Sequence, residues 1–474
     1  MIRFAGRQVE MNLLGLDASM LATRGAQFVM VRGRRQVGKS RLVEEFVRRA
    51  GNASIFFTAT KGRQPHVEIA EFVELAQQSG IDGDGTLDGV SFATWDAALA
   101  AVARLVTQPT VVVVDEFPYL VEGAPDVEGS FQKAWDRHLR KAPVMLILIG
   151  SDLAMMAALT QYGRPLFGRP TRELHLGPLN PAETAELIGL PPRDAFDAFL
   201  VTGGFPNLVN QWARNGSMKA YLKSQLASSS SVLVVTGERM LAAEFSPDSP
   251  SRQVLSSVGM GSVTFAALGN QTGIGASTLD RTLKQLKIKG VVVVDAPVCA
   301  GPSHETRYRI ADVHLRFWLR FIERSIPQLE RARGADVVES IMSHWSDYRG
   351  RAIEPVVVEA VGRLAADGQA LNADVQALNA EMVGAYWTRS GSTEVDLVGV
   401  VGPAKRPRVS FVGSIKWRDR RAFDGADAAN LAAHMTRVPG VDAQTKMVAV
   451  SSSGFSVRDV PVCLGPAELL AAWR

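Results

Sequence analysis

The chain of 474 residues has little cysteine, since only Cys299 and Cys463 are present. Their positions fit neither a zinc-binding spacing nor a disulfide framework, which favours a reducing compartment, and we expect a cytoplasmic location. The sequence also lacks any run of about 18 apolar residues, so it predicts no membrane-spanning helix. Neither sign of charge dominates, because 52 Lys and Arg stand against 48 Asp and Glu. This mild basic excess permits nucleic-acid binding without requiring it.

Apolar residues are plentiful at 46% of the chain, which is enough for packed cores in about two to four domains. Short apolar runs alternate with helical stretches over the first part of the sequence. This alternation predicts an α/β fold with a parallel sheet. The predicted strands are 28–31, 54–58, 110–114, 145–149 and 172–176.

A glycine-rich motif follows the first predicted strand. It reads Gly33-x-x-x-x-Gly38-Lys39-Ser40 and is followed by an amphipathic helix, which is the pattern of a phosphate-binding P-loop. Its glycines let backbone N–H groups close around phosphate oxygens, and the helix N-terminus adds partial positive charge. We expect Lys39 to neutralise the β- and γ-phosphates and the Ser40 hydroxyl to bind Mg²⁺. The residues expected to hold the nucleotide are Gly33, Arg34, Arg35, Gln36, Val37, Gly38, Lys39, Ser40 and Arg41.

The predicted strand from Thr110 runs through four valines to Asp115 and Glu116. A buried parallel strand that ends in two carboxylates, in a chain with a P-loop, predicts the second half of a nucleotide site. Asp115 is expected to hold Mg²⁺ together with Ser40, and Glu116 to orient the attacking water. ATP and Mg²⁺ are therefore the predicted cofactors.

Residues 245–312 show a different pattern, in which two short helices precede a β-hairpin. The helices are predicted at 263–268 and 277–289, an order typical of a winged helix-turn-helix. One interpretation is DNA contact by the second helix, and the other is an internal packing or oligomerisation module. The basic side chains that would make the DNA contact are Arg281, Lys284, Lys287 and Lys289.

Taken together, these motifs resemble the archaeal-type P-loop ATPase family, which is related to AAA+ and STAND proteins. The resemblance implies that Arg7 lies near the nucleotide base and that Ser151 senses the γ-phosphate. It also implies that Arg164 or Arg169 acts as an arginine finger on a neighbouring subunit, although each is equally compatible with an ordinary structural role. The matching segments are 4–7, 33–40, 114–120, 149–151, 165–169, 203–206, 308–312 and 315–318.

The same family often carries a C-terminal domain similar to PD-(D/E)XK nucleases. The resemblance implies that Glu354 and Asp396 bind Mg²⁺ and that Lys416 activates water. Ser414 stands where that motif has a second carboxylate, and a hydroxyl is a weaker Mg²⁺ ligand. Glu394 lies on the same strand face as Asp396 and is a candidate for the missing charge, or else a solvated residue. An active nuclease and a degenerate DNA-binding or structural module therefore both remain open.

Basic side chains cluster near this site, and they predict either a phosphate-contacting surface or a solvated face. They are Lys405, Arg406, Arg408, Lys416, Arg418, Arg420 and Arg421.

Two functions follow from these predictions. The first is an ATP-driven machine associated with DNA, and the second is a nucleotide-controlled switch that signals through protein contacts. Assembly into a homo-oligomer or with a protein partner is left open. The predicted domains are a P-loop core (1–179), a helical lid (180–240), a winged helix-turn-helix (245–312), a helical linker (313–344) and an α/β restriction-endonuclease-like domain (345–474).

Overall fold

The computed structural model describes residues 4–261, 263–299, 305–366, 378–402 and 407–474. Lys405 and Arg406 of the predicted basic cluster lie outside these residues. The contacts divide the chain into two compact units, one of residues 7–178 and one of residues 179–474 with the N-terminal residues up to Gly6. In the described residues, no helix combines the length and the apolar character needed to cross a bilayer.

The first unit is built on a five-stranded, fully parallel sheet with the order β2-β3-β4-β1-β5. The central strands β3 and β4 are buried along their whole length, as their valine-, leucine- and isoleucine-rich sequences require. The strands are β1 (Gln27–Arg32), β2 (Ala53–Thr58), β3 (Thr110–Asp115), β4 (Val144–Gly150) and β5 (Arg172–His175).

Seven α-helices belong to this unit, of which α1 precedes β1 and the other six lie between the strands. Because β4 lies between β1 and β3, the loops that follow these three strands meet at one edge of the sheet. The helices are α1 (Gln8–Arg24), α2 (Lys39–Ala50), α3 (Pro65–Gln78), α4 (Trp95–Leu105), α5 (Phe117–Gly123), α6 (Val127–Arg137) and α7 (Leu153–Leu159).

The second unit begins with a run of eight helices. The last of them, α15, buries Leu279, Leu283 and Leu286 and leaves its basic side chains exposed. The helices are α8 (Pro181–Ile188), α9 (Pro192–Thr202), α10 (Pro206–Ala213), α11 (Met218–Leu226), α12 (Val232–Ala242), α13 (Pro250–Gly259), α14 (Phe265–Thr272) and α15 (Ala276–Ile288).

An antiparallel hairpin of β6 (Val292–Asp295) and β7 (Arg307–Ile310) follows α15. Helix, helix and hairpin therefore occur in the predicted winged-helix order. The chain continues through α16 (Val313–Phe317), a π-helical turn (Trp318–Ile322), a 3₁₀ turn (Glu323–Ser325) and α17 (Ile326–Glu330).

A single helix of 33 residues, α18 (Gly334–Ala366), comes next. Pro355 lies inside it and has no N–H, so the Arg351 carbonyl loses its usual helical partner. Arg316 compensates, since its Nη2 donates to that carbonyl at 3.1 Å. The predicted domain boundary between residues 344 and 345 lies within this helix.

The C-terminal part is a mixed sheet with the order β12-β11-β10-β9-β8. β8, β9 and β10 pair antiparallel, whereas β10, β11 and β12 pair parallel. The predicted fold class is confirmed, while the finer domain boundaries stay predictions. The elements are β8 (Met382–Trp387), β9 (Glu394–Val401), β10 (Arg408–Lys416), α19 (Gly425–Met435), β11 (Lys446–Ser451), β12 (Val462–Leu464) and α20 (Pro466–Ala471).

Candidate functional site

The P-loop joins β1 to α2 at the carboxyl edge of the first sheet. Only glycine fits at position 33, because a Cβ there would lie 2.3 Å from the Leu176 carbonyl oxygen. Gly38 has a φ of 91°, which an L-residue rarely adopts, and α2 begins at the next residue. The loop therefore closes over the N-terminus of α2, where backbone N–H groups attract anions.

The Lys39 ammonium lies inside this loop. Its Nζ donates to the carbonyl oxygens of Gly33 at 2.9 Å and Arg34 at 3.0 Å. Burial lowers the pKa of Lys39, although the nearby carboxylates of Glu116 and Asp115 oppose that shift. A bound phosphate would give this buried cation an anionic partner.

Ser40 and Asp115 face each other across the site, where the hydroxyl is hydrogen-bonded to the carboxylate. Burial raises the pKa of Asp115. A hydroxyl and a carboxylate in contact are oxygen ligands of the kind that Mg²⁺ prefers, with water and phosphate oxygens completing its shell. These two residues therefore fit the predicted Mg²⁺ site.

Glu116 and Ser151 are brought together by the neighbouring strands β3 and β4. The Ser151 hydroxyl donates to Glu116 Oε2 at 2.8 Å. Glu116 also has a φ of 52°, and Arg7 and Gln36 in the same site have φ values of 61° and 67°. Backbone strain of this kind is concentrated at functional sites.

Arg7 is a buried clamp rather than an exposed ligand. Its Nη2 donates to the Gly177 carbonyl at 2.6 Å and to the Val37 carbonyl at 3.2 Å, and Nη1 lies 3.4 Å from Glu10 Oε1. The side chain thus fixes the P-loop backbone at Val37 against the end of β5. Its predicted contact with the nucleotide base stays a prediction.

Three other predicted arginines form ion pairs within this unit. Arg169 Nη2 lies 2.8 Å from Asp136 Oδ2, and its Nε bonds the same carboxylate. Arg164 pairs with Glu128. Arg41 pairs with Glu44 at 3.2 Å, on the exposed side of α2. The arginine-finger role of Arg164 or Arg169 stays a prediction.

Comparison with known proteins shows which families this chain is similar to. Residues 4–211 match the model of a family described as an ATPase domain predominantly from Archaea. Residues 4–211 are thus similar to this ATPase family over somewhat less than half of the chain. The match confirms the predicted ATPase. Residues 318–428 match a second family, described as archaeal and bacterial proteins of unknown function.

Individual relatives are distant in sequence. The chain is 22% identical over 471 residues to an uncharacterized protein of Methanocaldococcus jannaschii, covering 97% of this chain and 98% of that one. A Walker-type ATPase of Pyrococcus abyssi is 20% identical with a TM-score of 0.47, covering 67% of this chain and 96% of that one. The ORC2 protein of Aeropyrum pernix, in ADPNP and ADP complexes, is 15% identical with a TM-score of 0.45 and covers 72% and 96%.

The second candidate site lies on β9 and β10. Ser414 Oγ donates to Asp396 Oδ2 at 3.1 Å, and the Ile415 N–H donates to the same oxygen at 2.7 Å. Ser414 therefore orients Asp396 and adds no negative charge. Lys416 ends β10 two residues later, on the same strand face as Ser414.

Glu354 on α18 completes this site. The surrounding protein partly desolvates its carboxyl, and together with the charge of Asp396 this raises the pKa of Glu354 to about 7, while Arg316 opposes the shift. The Asp396 carboxylate is thus close enough to disfavour the ionisation of Glu354. A cation between them would relieve that repulsion.

Glu394 forms an ion pair with Arg307, and its charge also raises the pKa of Glu354. The Glu394 Oε1 accepts from Arg307 Nη1 at 2.6 Å, and Arg307 also lies 4.5 Å from the centre of the Trp387 ring. Among the described residues, no three or more His, Cys, Asp or Glu side chains gather as a potential metal site.

Two members of the predicted basic cluster, Arg418 and Arg421, are already paired with carboxylates. Nη1 and Nη2 of Arg418 each lie 2.8 Å from an oxygen of the Asp427 carboxylate. Arg421 pairs with Asp424 at 2.7 Å. Asp424 and Asp427 form the capping box of α19. These two arginines therefore stabilise a helix start, and Arg408, Lys416 and Arg420 are the other described members of the cluster.

Sequence reasoning missed three residues around these sites. Tyr119 contacts Arg35 of the P-loop, Arg307 holds Glu394, and Arg316 lies near Glu354. All three fall in or beside motifs that were recognised, but only the fold reveals which side chain each one meets.

Proposed function

We propose that this protein is an Mg²⁺-dependent ATPase whose nucleotide cycle controls a DNA-associated second unit. The ATPase part is carried by one observation, the convergence of Lys39, Ser40, Asp115, Glu116 and Ser151 at one sheet edge. Strand order brings them together although they are distant in sequence.

Each of these side chains has a distinct part in hydrolysis. Lys39 neutralises charge on the β- and γ-phosphates, and Ser40 with Asp115 would hold Mg²⁺, which supplies further positive charge when bound. Glu116 orients the attacking water through its carboxylate. Ser151 fixes that carboxylate by its 2.8 Å hydrogen bond.

The test of this proposal is ATP turnover by Lys39→Ala and Ser151→Ala beside wild type. Loss of the ammonium is expected to abolish turnover. Loss of the Ser151 hydroxyl is expected to lower kcat about 10-fold with little change in ATP affinity, because it only positions Glu116. Full hydrolysis by Lys39→Ala would refute the assignment.

DNA association is supported by the exposed face of α15. Arg281, Lys284 and Lys287 are all exposed on it, opposite the buried leucines. Phosphate contacts by such a face weaken steeply as salt rises, because binding releases counterions.

A duplex-binding titration between 50 and 200 mM salt tests this face. Replacing Arg281, Lys284 and Lys287 together by Gln is expected to weaken binding at low salt and to flatten the salt slope by about 3. The combination of Lys219→Gln, Lys223→Gln and Arg239→Gln, on α11 and α12, is the matched control, because it also removes three exposed positive charges. Absence of salt-dependent binding, with ATPase activity intact, would favour the nucleotide-controlled protein switch instead.

DNA cleavage is a second candidate function, supported by the raised pKa of Glu354 beside Asp396. Against it stand the hydroxyl of Ser414 and the engagement of Glu394 with Arg307. The test is cleavage of plasmid DNA with Mg²⁺ or Mn²⁺, with and without ATP, by wild type, Asp396→Ala and Lys416→Ala. Cutting lost in both variants would establish a nuclease, and no cutting in either metal would leave a binding module.

A further inference from the structure

Arg35 stands out among the P-loop residues, because its side chain is exposed and directed to a tyrosine. Its Nη2 donates to Tyr119 Oη at 2.9 Å. The ammonium of Lys61 lies 5.9 Å from the centre of the same ring. Two cations from separate loops therefore converge on Tyr119.

The backbone connects this tyrosine directly to Glu116. Tyr119 lies in the first turn of α5, and its N–H donates to the Glu116 carbonyl at 2.9 Å. The loop carrying Lys61 is anchored to the same strand end, because the Ala59 N–H donates to the Asp115 carbonyl at 2.9 Å. The Arg35–Tyr119 bond thus links the P-loop to the segment that orients the attacking water.

The charge of Arg35 acts on Lys39 inside the nucleotide site. Arg35 is among the groups that lower the pKa of Lys39, after burial as the main cause. By contrast, Arg164 and Arg169 are paired with Glu128 and Asp136. Arg35 is therefore a cation close to the phosphate-binding lysine, and its guanidinium donates to a neutral hydroxyl.

We propose that Arg35 supplies positive charge to the transferred phosphoryl group within the same chain, and that Tyr119 is the positioning residue for its guanidinium. This inference rests on the proposed ATP hydrolysis. In that step the water oxygen bonds to the γ-phosphorus while the bond to the bridging oxygen breaks, its electron pair stays on ADP, and the water's proton leaves with phosphate or solvent. A planar guanidinium beside the γ-oxygens stabilises the charge that spreads over them.

The experiment measures kcat, ATP affinity and trapping of ADP with aluminium fluoride, a mimic of the transferred phosphoryl group. Arg35→Ala is expected to lower kcat at least 100-fold and to lose the trapped complex, with ATP affinity within about 3-fold of wild type. Arg35→Lys keeps the positive charge but loses the planar guanidinium that can donate two parallel hydrogen bonds. Its kcat should therefore lie between those of Arg35→Ala and wild type. Tyr119→Phe removes only the hydroxyl and should lower kcat about 3- to 10-fold without weakening ATP binding.

Arg104→Ala, an exposed arginine on α4, is the matched control and should behave as wild type. The expected specific activity does not depend on protein concentration, because the cation comes from the same chain. Wild-type kcat in Arg35→Ala would overturn the inference, as would activity that rises with protein concentration and disappears in Arg169→Ala. Hydrolysis retained by Lys39→Ala would instead overturn the proposed function itself, so the two failures are distinguishable.

Discussion

At the scale of single residues, Arg349 is a buried charge of the second unit that pairs with two carboxylates. Its side chain is 2% exposed and bonds Asp197 of α9 at 3.2 Å and Asp419, after β10, at 2.6 Å. Arg193 of α9 also reaches Asp419, at 2.5 Å. Removing Arg349 would leave buried charge without a partner, which is among the costliest single changes a protein can suffer.

Asp197 gives this cluster a pH dependence. Burial raises its pKa to about 6, although Arg349 opposes the shift. Because the folded value lies above the unfolded one, the stability that Asp197 contributes is fully present below about pH 4 and is lost as pH rises through about 6. The unfolding free energy of wild type relative to Asp197→Asn should therefore fall by about 1 kcal/mol between pH 5 and 7.5.

Urea unfolding at several pH values measures this difference. Asp248→Asn, which removes an exposed carboxyl that is not among the groups acting on Asp197, is the control for a simple change of charge and should show no such trend. A difference between wild type and Asp197→Asn that stays constant with pH would contradict the assigned shift.

At the scale of elements, α12 packs against the π-helical turn through a glycine. A Cβ on Gly237 would lie 2.3 Å from the Trp318 ring. The Trp318 indole is buried and donates to the Val234 carbonyl at 2.7 Å, so the ring cannot shift without losing that bond. The close approach of α12 to the π-helical turn therefore requires a residue without a Cβ at position 237.

Gly237→Ala should therefore destabilise the second unit by about 1–3 kcal/mol, since overpacking outweighs the gain in helix propensity. Gly350→Ala is the matched control, because Gly350 lies inside α18 with nothing within 4 Å of a Cβ. That change should stabilise by about 0.5–1 kcal/mol. Thermal unfolding of both variants gives the sign of each change in stability. Equal changes in the two variants would refute the packing argument.

Some of these elements could be predicted from the sequence, and others could not. The P-loop, the valine strand and the parallel sheet were predictable, because each depends on local patterns of glycine and apolar residues. The continuous helix α18 was not predicted, since the predicted boundary at 344–345 divides it and Pro355 argues against an unbroken helix unless Arg316 is known to bond the Arg351 carbonyl. Likewise, Glu394 was a plausible metal ligand until the fold paired it with Arg307, 87 residues away.

At the scale of the whole molecule, contacts distant in sequence unite the second unit. The Val298 N–H donates to the Ala385 carbonyl at 2.9 Å, and the Trp387 indole donates to the Glu305 carbonyl at 2.9 Å. The hairpin region is therefore attached to the edge strand β8. Together with the contacts of Arg349, these bonds join α9, the hairpin and the C-terminal sheet within one compact unit.

Two compact units should unfold in two calorimetric transitions. The transition of residues 7–178 should rise with Mg²⁺ and ATP, because a ligand at 100 times its Kd adds about 2.7 kcal/mol to the state that binds it. Gly237→Ala should lower only the other transition, since it alters packing inside residues 179–474. Lys39→Ala is the control for the ligand effect and should remove the shift without moving the second transition. A single transition displaced equally by nucleotide and by Gly237→Ala would mean that the chain unfolds as one cooperative body, and that nucleotide binding is energetically coupled to every element of the second unit.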